Sequence, residues 1–104
     1  MTKADVDAPY RLEKGTLRVN KDLRQEFDMS FDEACRDLLA SPEKNLRIDL
    51  SNVTYISSTY VGMIAVTYFQ AQSLNKTLTV RAKPAVLKVL KVAGFDGFIK
   101  LEQA

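Results

Sequence analysis

Between residues 45 and 74 the hydrophobic period changes, and few folds accommodate that change. In "NLRIDLSNV" (45–53), Leu46, Ile48 and Leu50 alternate with Arg47, Asp49 and Ser51. That is the spacing of a strand with one buried face. From about Thr59 to Leu74 the positions Val61, Ile64, Ala65, Tyr68, Ala71 and Gln72 repeat at helical spacing, all but the last apolar. The same pair of periods recurs downstream. "TLTVRAK" (77–83) alternates again, and Pro84 then opens a helix, where proline suits the first turn. Val86, Val89, Leu90 and Ala93 make its predicted apolar face, and Gly94 its C-terminal stop. "FIKLE" (98–102) alternates once more and reads as a last edge strand.

Upstream, "SFDEACRDLLA" (30–40) predicts a helix. Ser30 and Glu33 have the spacing of a capping box, and Phe31, Ala34, Cys35, Leu38 and Leu39 form one stripe. Cys35 on that stripe reads as a small buried hydrophobe rather than a reactive thiol. "YRLEKGTLRVN" (10–20) holds two alternating segments around Lys14-Gly15, a turn dipeptide, and predicts a hairpin. "KDLRQEFD" (21–28) stays open between strand continuation, loop and first helical turn. Residues 1–9 read as a flexible tail and 10–104 as a single domain. Strands that alternate with helices imply an α/β fold with a largely parallel sheet and crossover helices.

Composition narrows the chemistry. The 104 residues include no histidine and a single cysteine, so a disulfide framework, a zinc cluster and histidine-based catalysis fall away within one chain. Fifteen basic residues stand against thirteen acidic ones, scattered, for a formal +2, which does not mark a nucleic-acid binder. The first ten residues are polar and lack the apolar core of a signal peptide. No apolar stretch is long enough to span a bilayer. The expectation is a cytoplasmic, non-enzymatic protein with no cofactor, metal or membrane insertion.

The seam between the strand at 46–50 and the following helix carries three hydroxyls, Ser57, Ser58 and Thr59. A helix N-terminus offers unpaired N–H groups and a positive dipole end. Two uses compete. One is capping by a hydroxyl, worth about 1 kcal/mol. The other is phosphorylation of Thr59 or Ser58, which would add roughly −1.5 to −2 charges beside those N–H groups. No base stands near them to make a nucleophile, and Gly62 alone makes no phosphate-binding loop.

"IDLSNVTYISSTYVGMIAV" resembles the signature of STAS domains of the anti-sigma factor antagonist family. Asp49, Leu50, Ser51 and Val53 match its strand part, and Ser58, Thr59, Val61 and Gly62 its loop and helix part. Pro84, Val86, Val89 and Gly94 match the frame of its last helix. The resemblance implies a STAS-like α/β fold, a mostly parallel or mixed sheet of four to five strands flanked by three to four α-helices. It implies a partner, a serine/threonine kinase that is also an anti-sigma factor. That kinase would switch the domain off by phosphorylating Thr59, with Ser58 as neighbour, and a phosphatase would reverse the mark. The ATP would belong to the kinase. Two positions depart from the family pattern: Ser57 stands where an aspartate is usual, and Tyr60 where a glycine is usual. Ser57, Ser58, Thr59, Tyr60, Gly62 and Met63 are the predicted partner contacts, Tyr60 and Met63 as exposed residues off the helix stripe. A related role for the same resemblance is the STAS subunit of a lipid-transporting ABC complex, where a hydroxyl in this loop contacts the ATPase without phosphorylation.

Overall fold

Lys14 and Gly15 both take positive φ, 46° and 80°. Two successive left-handed residues form the turn whose twist matches paired strands. They join β1 (Tyr10–Glu13) to β2 (Thr16–Val19) as an antiparallel hairpin with Tyr10 opposite Val19. Gly15 is also packed: a Cβ there would lie 2.8 Å from Glu43 Cβ.

The computed structural model describes residues 8–24 and 29–104. The tail expected over 1–9 lies mostly outside the described residues, as do residues 25–28 of the open segment. Ala8 and Pro9 are held, because Asn20 donates to both their carbonyls. Lys21–Arg24 form a loop in which Leu23 makes an isolated parallel bridge to Ile56.

After the hairpin come α1 (Met29–Leu39), β3 (Asn45–Leu50), α2 (Ser58–Ser73), β4 (Thr77–Ala82), α3 (Pro84–Val92), a 3₁₀ turn (Phe95–Gly97) and β5 (Lys100–Gln103). The sheet order is β1-β2-β3-β4-β5, with β2 to β5 all parallel. The expected STAS-like α/β fold is therefore present, with five strands and three helices among the described residues. Strands laid down in sequence order and joined by crossovers of one hand bring their helices to one face. There, Leu17, Val19, Leu46, Ile48, Leu50, Leu78 and Val80 meet buried residues of all three helices in one core.

Three helix readings are corrected. Ser30 lies inside α1, which already includes Met29, rather than ahead of its first turn. In α3 the core face is Val86, Leu87 and Leu90, whereas Val89 and Ala93 are exposed. In α2 the buried line is Tyr60, Ile64, Thr67 and Ala71. Val61, Ala65 and Tyr68 flank it half-buried, and Gln72 is exposed. The stop after α1 is reinforced from a distance: the Lys76 ammonium donates to the carbonyls of Leu39 (2.9 Å) and Ser41. A cation at the carbonyl end of a helix offsets its negative dipole end. Gly94, at φ 86°, ends α3 as expected.

Candidate functional site

The three hydroxyls sit past the C-terminal end of β3, where ligands of open α/β sheets commonly bind. Two side-chain-directed turns bring the chain there. At the end of β3, Asp49 Oδ1 accepts from the Ser51 N–H at 2.9 Å and from the Ser51 hydroxyl. This Asx turn explains the Asp-x-Ser spacing structurally. Farther on, Asp22 Oδ1 accepts from the N–H groups of Thr54 (2.7 Å) and Tyr55 (3.3 Å), and the Thr54 hydroxyl adds a third donor. Leu23 N–H donates to Tyr55, and Ser57 N–H donates back to Leu23. The loop before α2 is thus clamped onto the loop after β2.

Both carboxylates are held below their ordinary range. For Asp22 the Thr54 N–H and hydroxyl are the chief cause. For Asp49 burial pushes the value up, and the Ser51 hydrogen bonds with the Arg18 and Arg81 charges outweigh it. A group whose folded pKa is depressed adds stability above its unfolded value and loses it as pH falls through the folded one. Unfolding midpoints in urea are therefore expected to be level near neutrality and to fall below about pH 4. Asp22→Asn is expected to fall less steeply there than the wild type. Parallel acid limbs for the two proteins would contradict the clamp.

α2 begins at Ser58, with Ser57 in the extended N-cap position (φ −83°, ψ 163°). The Ser57 carbonyl accepts the first helical bond from Val61 N–H at 3.1 Å. Its side chain makes no capping hydrogen bond, so the capping use of the seam is not realised at this position. The first turn holds no acidic residue. Ser58 is exposed, and Thr59 is half-buried but reachable. Thr59 opens into a groove of about 430 Å³ between α1 and α2, lined by Asp32, Arg36, Gly62, Met63 and Val66 among others. Asp32 and Arg36 form an ion pair of 3.0 Å on the α1 side. Cys35, also on the groove wall, is 4% exposed, and burial pushes its thiol up to about 11, so it is a poor nucleophile.

Tyr60 does not join this surface. It is 0% exposed and meets Phe31 edge-on at 5.2 Å, and Phe31 meets Tyr10 likewise at 5.5 Å. The expectation of an exposed aromatic anchor at Tyr60 is overturned: its ring joins α2 to α1 inside the core. Met63 is half-buried rather than exposed and packs partly on that core. Ser57 is half-buried and Gly62 exposed.

The structure adds residues that the period analysis missed. Val66 is 55% and Phe69 57% exposed, and both lie on the outer side of α2 below Gly62. Phe69 stacks on Phe98 at 5.7 Å, and Tyr68 closes the cluster at 5.3 and 5.2 Å. A signal for them does exist in the sequence. No charged residue occurs between Asp49 and Lys76, although 27% of the chain is charged. A helix without charge on any face normally lies inside a protein. α2 instead shows one uncharged face to solvent.

Comparison with known proteins gives two matches of different kinds. The family model described as "Mlab, STAS domain" matches residues 8–102. The crystal structure of a candidate anti-sigma factor antagonist from Thermotoga maritima is similar in fold. Its TM-score is 0.75 at 22% sequence identity, covering 92% of this chain and 86% of that one. Comparison with curated proteins finds no match.

Proposed function

This chain belongs to the STAS domain family, and we propose that it is a non-enzymatic docking module that binds a partner protein through the outer face of α2. The observation that carries this reading is the uncharged helix with Val66 and Phe69 exposed, running away from reachable hydroxyls at Ser58 and Thr59. Burying such a face removes apolar area from water at no cost in stranded charge. The partner is a serine/threonine kinase of the anti-sigma factor class, acting in the cytoplasm. Ser57, Ser58, Thr59, Gly62 and Met63 make the N-terminal part of the contact, and Thr59 carries the regulatory phosphate.

The seam supports a phosphate in two ways. No carboxylate competes in the first turn of α2, and the dipole end favours an anion. Across the groove stand Arg36 and its partner Asp32. A dianion at Thr59 would change the charge of a neutral patch, which is the physical basis for expelling an apolar partner.

The test is intact-mass analysis after incubation with ATP and the candidate kinase. One phosphate is expected on the wild type, and none on Thr59→Ala. An unmodified wild type would contradict the switch while leaving the docking face standing. The family description and the residues Ser57 and Tyr60 favour a second reading. In it the same face docks the ATPase of a lipid-transporting ABC complex, and Thr59 is a contact that stays unmodified. Under that reading Thr59→Ala weakens binding by itself, with no ATP present.

A further inference from the structure

The sheet face turned away from the helices carries side chains that the α2 site does not use. Strand register places Glu13, Thr16, Arg47, Thr79 and Lys100 in one row across it. Arg11, Arg18, Asp49, Arg81 and Glu102 form the next. Neither row contains an apolar residue, whereas largely parallel sheets are ordinarily covered on both faces. Arg11 stands directly opposite Arg18, a like-charge pairing that destabilises a sheet.

The carboxylates here do not match the cations. Glu13 takes Arg11 at 2.7 Å, and Glu102 takes Arg47 at 3.1 Å. Asp49 is committed to Ser51 and reaches Arg18 only at 3.6 Å. Among the described residues, Lys14 and Arg81 come within 4 Å of no carboxylate, although the Arg81 charge is felt at Asp49. A concavity of about 230 Å³ gathers Lys14, Arg11, Arg18, Arg47 and Arg81 against Glu13 and Asp49. With Glu102 holding Arg47 at its rim, five cations stand against three carboxylates, so an excess equal to the +2 of the whole chain is gathered at this one place.

We propose that this concavity binds a compact oligophosphate anion, held by Arg18, Arg81 and Lys14. Arg18 and Arg81 flank Asp49 on neighbouring strands. Their backbones therefore lie roughly 10 Å apart, two strand spacings, a span that two long side chains close around an extended anion. Planar guanidinium forks suit phosphate oxygens. The volume is below the roughly 300–1,000 Å³ of sites for larger organic ligands, so it suits a phosphate chain without a base or sugar. The chain can be a free inorganic oligophosphate or the phosphate tail of a nucleotide projecting outward.

The test is titration of the full chain by calorimetry and amide NMR with inorganic triphosphate, ATP and adenosine. About 150 mM KCl screens the diffuse field beyond about 8 Å. Triphosphate is expected to bind with submillimolar affinity and to shift amides of β2 to β4 rather than α2. Arg18→Gln and Arg81→Gln should each weaken it about tenfold, and Lys88→Gln on α3 should leave it unchanged. Binding of ATP equal to triphosphate makes a nucleotide tail an acceptable source, and weaker ATP binding assigns the free anion. Both results support the site. Absence of triphosphate binding, equal weakening by all three variants, or binding of ATP without triphosphate would each overturn it.

Discussion

Tyr60→Ala is expected to lower stability by about 3–5 kcal/mol, the range for deleting a buried large aromatic. The ring is fully enclosed and packs edge-on against Phe31 of α1. For a domain of this size each kcal/mol corresponds to about 4–8 °C in melting temperature. A drop of more than about 12 °C should therefore be visible in a thermal scan. Total stabilities of such domains are about 5–15 kcal/mol, so the variant can approach unfolding at room temperature. Tyr60→Phe keeps the packing and should lose far less. If Tyr60 were instead an exposed partner anchor, alanine would leave the melting curve in place and remove only binding.

Val66→Glu is expected to do the reverse. Val66 is more than half exposed, so the free protein should keep its stability within about 0.5 kcal/mol. In the complex the new carboxylate would lie unpaired on an apolar interface. That should weaken the partner by about 2–4 kcal/mol, or roughly 30- to 1,000-fold. Phe69→Ala should weaken it by a smaller factor, because Phe69 keeps one face on Phe98. Lys88→Glu, on α3, should bind as the wild type does. Calorimetry with the purified partner measures all four proteins. An unaffected Val66→Glu complex would place the interface elsewhere.

The order of elements is legible because the period of two and the period of 3.6 are distinct in this chain. Leu46, Ile48 and Leu50 alternate with polar residues in sequence and are all buried in the structure, and only Asp49, turned to the other face, is buried as well. Lys14-Gly15 and Gly94 are local conformational demands, and both are met where expected. The rotation of a helix is harder to read when apolar residues surround it. α2 has no charged face to mark solvent, so Val61 and Tyr60 are interchangeable by pattern, and the packing against Phe31 selects Tyr60. The run "VLKVLKVA" leaves Leu87 and Val89 similarly undecided until α3 meets β4 and β5. Asp22 and Lys76 act across more than thirty residues of chain. Nothing near them in sequence announces either role. The reachable hydroxyls at Ser58 and Thr59 were legible, because a seam after a strand is a helix start by position alone.

Hydrogen exchange of the full chain, alone and with its purified partner, measures the docking face most directly. Slowed exchange concentrated in residues 58–70 and the facing turns of α1, relieved when Thr59 is phosphorylated, is the predicted result. Protection confined to α3 or to the strands, with residues 58–70 exchanging at their free rate, would contradict the assignment of α2 as the partner surface.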